Sequence, residues 1–406
     1  MASDNKKALV PKLRFPEFRG AGSWGVKRLD KLARKITTRN HGNKQTRVLT
    51  NSAERGVVDQ RDYFDKDIAN SNNIDNYFVA EKGDYVYNPR VSTTAPVGPI
   101  SRNNLGTGIM SPLYTVFRFN TATNDFYSHY FKSSRWHAYL HTASNTGARH
   151  DRMSITSSDF MAMPLPHPPV REQQKIADCL SSVDALIAAH TDKLAALKAH
   201  KQGLLQQLFP RDGETVPSLR FLEFRNADEW VAGELRDVCS MRAGQYVNAA
   251  KIHESPANNL FPCYGGNGIR GYTDTATHNG FYSLIGRQGA LCGNVTYATG
   301  EFYATEHAVV VTARPQIDAK WLFHLLNVLD LNQHATGQAQ PGLSIGNLSV
   351  VTMRYPAERD EQQKIADCLS SLDTLITVQA DKIETLKQHK KGLLQQLFPA
   401  MDEAAV

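Results

Sequence analysis

Two stretches of the chain, residues 172–210 and 361–399, carry apolar residues at alternating spacings of four and three. A heptad pattern held for more than four repeats, with no proline before the closing Phe-Pro, predicts one long helix in each stretch. A helix of about 37 residues is roughly 55 Å long at 1.5 Å per residue. The predicted seam consists of Ile176, Leu180, Val183, Ile187, Leu194, Leu197 and Leu204, and of Ile365, Leu369, Leu372, Ile376, Ile383, Leu386 and Leu393.

Four seam positions are polar: His190 and Lys201 in the first stretch, Gln379 and Lys390 in the second. Polar seam residues cost stability and can fix the register of paired helices, or they can belong to a frayed, solvated stretch. The sequence leaves both interpretations open. It favours antiparallel pairing of the two coiled-coil helices within one chain, with a parallel coiled coil between two chains as the alternative.

The two stretches are copies of one segment. They align without a gap, and 28 of the 39 aligned positions are identical. Upstream, Val10–Arg19 resembles Val216–Arg225, so the chain is a tandem duplication. The predicted organisation is residues 1–24 and 211–230 as junction segments, 25–165 and 231–357 as variable domains, 166–210 as a central helix, and 358–400 as a C-terminal helix.

The variable domains change to short runs of β-branched and aromatic residues broken by Gly and Asn, which predicts strands and turns. The strands are predicted at Gly83–Ser92, Leu113–Phe119, Gly280–Gly289 and Glu306–Ala313. Amphipathic helices are predicted around Tyr127–Thr142 and Ala319–His334. The fold class is therefore α+β: two globules separated by two long helices in a pseudo-two-fold tandem repeat.

Composition gives an ordinary globular balance, 41% hydrophobic and 21% charged. The chain shows no run of about 20 apolar residues and no apolar N-terminal signal, so a cytoplasmic protein is expected. The five cysteines form no C-x-x-C pair, so no metal site is expected. Residues 25–165 hold 19 Lys and Arg against 12 Asp and Glu, whereas residues 231–357 hold 8 against 8. A phosphate-neutralising surface is expected only in the first domain.

No catalytic motif emerges from the sequence. Gly266–Gly271 matches G-x-G-x-x-G, but the β-like, turn-rich sequence after it does not suit a dinucleotide site. This loop is either a plain surface turn or a place where Asn267 and Arg270 approach a ligand. No phosphate-binding loop and no H-E-x-x-H string occurs, so no catalytic residue is predicted.

Polar clusters rich in Arg, Asn and Gln recur in both variable domains. These side chains make bidentate contacts to base edges, although a single cluster is more often a solvated loop. The predicted DNA-binding residues of the first domain are Thr38, Arg39, Asn40, Asn88, Arg90, Arg102, Asn103, Arg149 and Arg152. Those of the second are Arg242, Gln245, Asn267, Arg270, Arg287, Gln288, Gln338 and Gln340.

The whole pattern resembles the specificity subunit of type I restriction-modification systems. The resemblance rests on Pro168–Leu180 and Pro356–Leu369, which both contain Glu-Gln-Gln-Lys-Ile, and on the paired Leu-Arg-Phe segments. It implies that each variable domain recognises one half of a bipartite, asymmetric site on double-stranded DNA. It further implies that the helices set the spacing between the half-sites.

The resemblance also implies partners and cofactors. Two methyltransferase subunits carrying S-adenosylmethionine are expected to dock on the helices, and translocase-nuclease subunits using ATP and Mg²⁺ are expected to join them. This chain is expected to hold no cofactor and to perform no chemistry. The expected docking residues are Glu172, Gln173, Gln174, Glu361, Gln362 and Gln363.

Two other functions stay open. A stand-alone DNA-modifying enzyme would need a metal or S-adenosylmethionine site that the motifs do not reveal. A coiled-coil scaffold would need the helices alone and no DNA.

Overall fold

The computed structural model describes residues 9–64, 74–144, 151–289, 291–337 and 341–400. The chain divides into two compact units. Unit one comprises residues 1–189 and 383–406, and unit two comprises residues 190–382. Each long helix therefore contributes residues to both units.

Unit one contains the first variable domain. Its elements are β1 (Gly25–Arg28), α1 (Leu29–Leu32), β2 (Ala33–Lys35), β3 (Leu49–Ser52), β4 (Gly56–Asp59), α2 (Gln60–Tyr63), β5 (Phe78–Ala80), β6 (Tyr85–Tyr87), β7 (Ile100–Arg102), β8 (Gly108–Met110), β9 (Thr115–Phe119), α3 (Asp125–Tyr130), α4 (His137–Ala143), α5 (Ser157–Met161), β10 (Pro164–His167) and the start of α6 (Val170–Leu208). The central sheet has the order β2–β9–β6–β7, while β1 pairs with β10, β3 with β4, and β5 with β8.

Unit two contains the second variable domain. Its elements are the end of α6, β11 (Val231–Glu234), α7 (Leu235–Val238), β12 (Cys239–Ala243), β13 (Phe261–Gly265), β14 (Gly268–Thr273), β15 (His278–Asn279), β16 (Tyr282–Gly286), β17 (Val295–Ala298), β18 (Glu301–Ala304), β19 (Ala308–Ala313), α8 (Ala319–Val328), α9 (Ile345–Ser349), β20 (Thr352–Tyr355) and the first part of α10 (Arg359–Leu397). One sheet has the order β12–β19–β16–β17, a second the order β14–β13–β18–β15, and β11 pairs with β20.

The predicted α+β fold is confirmed, and the duplication is visible in its details. The antiparallel pair β1–β10 in unit one corresponds to β11–β20 in unit two, and each pair leads into a long helix. All four predicted strands form within their predicted limits, as β6, β9, β16 and β19. The helix predicted around Tyr127–Thr142 is instead two helices, α3 and α4, because Phe131 to Trp136 form a turn between them.

The closing Phe-Pro of each long helix anchors an aromatic core. Phe398, fully buried after α10, lies edge-on against Phe126 and Tyr130 of unit one at centroid distances of 5.3 and 5.5 Å. Its repeat equivalent Phe209 lies 6.0 Å from Trp230 in unit two. Truncating a buried Phe to Ala costs about 3–5 kcal/mol, so each core holds the end of one helix firmly.

The long helices present their predicted seam inward. Both are 39 residues long, and every predicted seam residue is buried or half-buried. Leu186 and Leu375, each directly before a seam isoleucine, are 45% and 53% exposed, so the solvated surface begins one position away from the seam. The seam residues therefore separate the packed face of each helix from its solvated face.

The polar seam positions have partners. In unit two the Nε2 of Gln379 donates to the carbonyl oxygen of His190 at 2.7 Å, and Lys201 pairs with Asp373 at 2.5 Å. The contact residue with the higher number in α6, Lys201, meets the one with the lower number in α10, Asp373. The two segments therefore run antiparallel. In unit one Lys390 pairs with Asp184, the repeat equivalents of Lys201 and Asp373. These stretches are hydrogen-bonded rather than frayed.

Buried ion pairs tie the Leu-Arg-Phe segments to the helix starts. Arg14 contacts Glu172 in unit one, and Arg220 contacts Glu361 in unit two. The indole Nε1 of Trp230 also donates to Glu361 at 3.2 Å. Each segment thus fixes the orientation of its globule on a helix.

This geometry corrects the expected docking residues. Glu172, Gln173, Glu361 and Gln362 are 0–8% exposed, and their polar atoms bind groups of the same unit. Gln173 and Gln362 donate to the carbonyl oxygens of a proline six or fewer residues upstream. These four residues were wrongly predicted to face a partner, since the repeated Glu-Gln begins a helix and braces its own globule. Gln174 and Gln363 are exposed.

Candidate nucleic-acid interface

Unit one brings together two predicted arginines that are 62 residues apart in its variable domain. Beyond β6, the main chain of residues 89–91 pairs with residues 151–153, and Arg90 forms an isolated bridge with Arg152. The amide N of Met153 donates to the carbonyl oxygen of Pro89 at 2.9 Å. Arg90 is exposed and Arg152 is half-buried. Two guanidinium groups therefore lie on one loop pair.

Asn88 supports this loop pair. Its Nδ2 donates to the carbonyl oxygen of Asn51 at 2.9 Å, and its Oδ1 accepts from the amide N of Arg90 at 3.0 Å. Both ends of the amide are therefore engaged inside the unit. Asn88 holds Arg90 in position, as a supporting residue.

Unit two repeats the arrangement with different side chains. Beyond β16, Gln288 forms an isolated bridge with Gly342. The amide N of Leu343 donates to the carbonyl oxygen of Arg287 at 2.9 Å, matching the bond from Met153 to Pro89. Gln288 is exposed and Arg287 half-buried. The backbone frame is shared, whereas Arg–Arg in unit one becomes Gln–Gly in unit two.

The glycine-rich loop of unit two adjoins this frame. A groove of about 500 Å³ is lined by Asn267, Arg270 and Gln288, three of the predicted residues. Glycine is required here: a Cβ on Gly266 would lie 2.9 Å from the carbonyl oxygen of His307, and one on Gly286 would lie 2.2 Å from that of Gly266. The close approach places exposed polar side chains around one concave surface.

The loop is not a dinucleotide site. It connects the antiparallel strands β13 and β14, so no helix N-terminus follows it to receive a pyrophosphate. The sequence left two interpretations of this loop: a plain surface turn, or a loop that lets Asn267 and Arg270 approach a ligand. Its place in the groove favours the second. Asn267 is kept oriented there, because its Oδ1 accepts from the Nδ2 of Asn294 at 2.6 Å.

A family model matches most of the chain. The model described as "Type I restriction modification DNA specificity domain" matches residues 28–199 and again 227–388. The chain belongs to this family. Each match begins at the first strands of a globule and ends within a long helix, in agreement with the duplicated structure.

Relatives and solved structures agree with this assignment. The chain is 49% identical to the Escherichia coli "Type I restriction enzyme EcoprrI specificity subunit" over 142 residues, 35% of either chain. It is 23% identical to the Methanocaldococcus jannaschii "Type I restriction enzyme MjaVIII specificity subunit" over 59% of this chain and 62% of that one. The matched segments thus span about a third and under two thirds of these relatives.

The fold matches a crystal structure of the type I restriction-modification S subunit from M. genitalium. The TM-score is 0.62 at 15% identity, covering 97% of this chain and all of that chain. A second structure, titled for complex assembly and conformational transition of a type I system, gives a TM-score of 0.54 at 18% identity over 93% of this chain and 97% of that one. At these identities the likeness concerns the fold.

The prediction that Asn40 and Asn103 contact DNA is wrong, because both side chains are buried. Asn40 is 2% exposed and donates to the carbonyl oxygens of Gln45 and Ile74. Asn103 is fully buried and donates to the carbonyl oxygen of Gly106 at 2.7 Å. Asn often stabilises loops in this way, so an Asn-rich string does not distinguish a recognition loop from a self-stabilised turn.

The other predictions lie apart from the two bridged loops. Arg39, exposed beside the exposed Thr38, donates to the carbonyl oxygen of Asn76 and lies 5.0 Å over the ring of Phe78. Arg102 is paired with Asp125. In unit two Arg242 is exposed on β12, and Gln245 bridges Thr305. Arg149, Gln338 and Gln340 lie outside the described residues.

Sequence reasoning missed exposed apolar side chains in unit two. Ile269 and Leu291 line the unit-two groove and are 55% and 56% exposed, and Tyr246 is 75% exposed beside Gln245. Apolar side chains contact the methyl group of thymine in the major groove. The available signal was a large apolar residue inside a polar, glycine-rich loop.

The described ranges show neither a metal-binding cluster nor a membrane-spanning helix. Across them no cluster of three or more His, Cys, Asp or Glu is arranged to hold a metal ion. Among the helices described, none combines the length and apolarity needed to cross a bilayer.

Proposed function

We propose that this chain is the DNA-recognition subunit of a type I restriction-modification complex. Each unit contacts one half of a bipartite site on double-stranded DNA, and the halves differ because the contacting side chains differ. The long helices hold the two units at a fixed spacing. Two rigidly spaced half-site readers give a specificity that neither reaches alone.

The bridged loop pair carries this proposal. The same backbone frame recurs in both units, yet it presents Arg90 and Arg152 in one and Gln288 in the other. Arg favours guanine and Gln favours adenine in bidentate contacts. A conserved frame with exchanged polar side chains is the arrangement that independent half-site recognition requires.

The duplication of the long helices explains why two methyltransferase subunits would bind this chain. Two helices that share 28 of 39 aligned residues offer two similar surfaces, suited to two copies of one methyltransferase subunit carrying S-adenosylmethionine. The exposed Gln174 and Gln363 stay candidates for that contact. Translocase-nuclease subunits would supply ATP-driven and Mg²⁺-dependent steps, and this chain would position DNA without performing chemistry.

A domain exchange tests the proposal. Residues 231–357 are replaced by the equivalent domain of another family member, and the methylated sites are sequenced in cells that carry the complete system. One half-site is expected to change while the other half-site stays the same. A change in both halves, or in neither, would contradict the modular assignment.

Two measurements address the rival functions. Tight binding of S-adenosylmethionine to the isolated chain in calorimetry would favour a stand-alone modifying enzyme. Failure of the chain to contribute to DNA binding, alone or with its methyltransferase subunits, would favour a scaffold.

A further inference from the structure

Unit one contains a groove with basic lining that belongs to neither bridged loop pair. Its volume is about 390 Å³, and it lies between the turn joining α3 to α4, the segment before β7, and the last turns of α10. Lys132, Arg135, His137 and Lys391 line it. Within the described residues no carboxylate belongs to its lining.

The positive charge is only partly compensated. Lys132 lies 3.3 Å from Asp184, but the same carboxylate also receives Lys390, so two lysines share one acid. Lys391 is exposed, and no described carboxylate lies within ion-pairing distance of it. Burial and the neighbouring His141 lower the pKa of His137, so the charge comes from the lysines and Arg135.

The groove is built on a fixed frame. A guanidinium nitrogen of Arg135 donates to the carbonyl oxygen of Gln395 near the end of α10. The Oγ of Ser133 donates to the carbonyl oxygen of Tyr130 at 2.6 Å and accepts from the amide N of Arg135. The turn and the helix end are thereby joined through Arg135, which keeps its position in the groove.

One rim of the groove continues into the Arg90 loop. Thr94 and Ala95 line the groove, and the amide N of Ser92 donates to the carbonyl oxygen of Ala95 at 3.0 Å. Ser92 is two residues beyond Arg90. A strand of DNA read by Arg90 would therefore have its backbone within reach of this groove.

Unit two has lost this charge. His129 and His324 are equivalent, because each is buried and contacts the repeated serine Ser181 or Ser370 of a long helix. Counting from these histidines, Lys132 corresponds to Asn327 and Arg135 to Asp330.

The long helices show the same exchange. By the ungapped alignment of the repeats, Lys391 corresponds to Gln202. Three cations of unit one are thus replaced by neutral or acidic residues in unit two. Lys391 and Gln202 form one of the 11 pairs that differ among the 39 aligned positions, and the lysine stands in the copy that lines the groove. This placement points to a ligand of unit one only.

We propose that this groove binds the phosphates of the DNA strand next to the half-site recognised by Arg90 and Arg152. The inference rests on the proposed function and deepens it: unit one supplies phosphate contacts that unit two lacks. Backbone phosphates fix position and dominate affinity, whereas base contacts specify sequence. The two units then divide these tasks unequally.

The salt dependence of DNA binding tests the groove. The full chain, alone and with its methyltransferase subunits, is titrated with duplex DNA of arbitrary sequence between 50 and 200 mM salt. Each phosphate contact contributes about −0.9 to the slope of the logarithm of the association constant against the logarithm of the salt concentration. For each contact removed, the loss of affinity between 50 and 200 mM salt therefore becomes about 3.5-fold smaller. Lys391→Gln, which copies the other repeat, removes one contact, and Lys391→Gln with Lys132→Asn removes two.

Lys198→Gln is the matched control, because it removes the same charge from an exposed position of α6 that does not line the groove. Its salt slope should equal that of the unaltered chain. An unchanged slope in both groove variants, with DNA still bound, would overturn the groove assignment and leave the proposed function standing. Weakened methyltransferase binding at an unchanged slope would assign the groove to an acidic protein segment instead. No DNA binding by the unaltered complex would overturn both.

Discussion

Arg14 and Glu172 form a bidentate ion pair that is almost completely enclosed. The Nε of Arg14 lies 2.7 Å from one carboxylate oxygen of Glu172 and an Nη lies 2.8 Å from the other. The side chains are 7% and 1% exposed. Arg14 also donates to the carbonyl oxygens of Ala21 and Gly22, so the pair ties the N-terminal segment to the start of α6.

Removing one partner of this pair should destabilise unit one strongly. Arg14→Ala leaves the buried carboxylate of Glu172 uncompensated, and such losses cost about 3–5 kcal/mol. The free energy of unfolding in urea measures this. The double variant Arg14→Met with Glu172→Met should recover most of the loss, because two apolar side chains leave no buried charge.

The exposed pair of Lys175 with Glu17 provides a comparison on the same helix. Lys175→Gln should barely move the unfolding midpoint, since exposed ion pairs contribute little. Equal effects of Arg14→Ala and Lys175→Gln would contradict the bracing role given to Glu172. The recognised DNA sequence should be the same in every variant that folds.

The buried histidines make stability depend on pH. Burial lowers the pKa of His129 to about 4 and that of His324 to about 3, whereas an unfolded histidine titrates near 6.5. Between these values the unfolded chain holds more protons, so lowering the pH favours unfolding. The free energy of unfolding should fall by about 2 kcal/mol per histidine from pH 7 to pH 5.

His129→Gln and His324→Gln separate the two contributions. Each variant should lose about half of the pH-dependent change that the histidines cause, measured by urea unfolding at pH 7 and pH 5. Gln can keep a hydrogen bond to Ser181 or Ser370 while removing the titrating ring. A pH dependence that is identical in both variants and the unaltered chain would exclude the histidines as its source.

The sequence was sufficient to predict the helix seam, which follows a repeated spacing. It was not sufficient to predict the roles of polar residues that become buried on folding. The heptad positions from Ile176 to Leu204 were readable, because a seam residue is recognised by its spacing. Asn103 was misread, because only the folded chain shows that its amide binds Gly106. Glu172 was misread for a related reason: conservation between two copies indicates a shared constraint, and the buried partner Arg14 lies 158 residues away in the sequence.

Exposed and buried polar residues should respond differently to substitution. Arg90→Ala removes an exposed guanidinium on the bridged loop, and losing a bidentate base contact costs about 1–3 kcal/mol of discrimination at one position. The half-site assigned to unit one should become degenerate at that position, as read by sequencing methylated sites. Gln288→Ala should do the same to the other half-site only.

Asn103→Ala is the matched control within unit one. Its amide satisfies the carbonyl oxygens of Glu81 and Gly106, so its loss should lower the free energy of unfolding by about 1–3 kcal/mol. The sequence of the methylated sites should not change. Relaxed specificity in Asn103→Ala, with unaltered specificity in Arg90→Ala, would reverse the assignment of these residues.

Lengthening both helices together should lengthen the DNA spacer. His190 of α6 meets Gln379 of α10 at 2.7 Å, so one heptad inserted after Thr191 and another after Ala380 would face each other and keep the seam in phase. Seven residues add about 10.5 Å, roughly three base pairs at 3.4 Å each. The methylated sites should show that longer spacer with unchanged half-sites. A heptad in α6 alone should instead destabilise the chain, because its seam has no partner. A folded double insertion that methylates the original spacing would show that the helices do not set it.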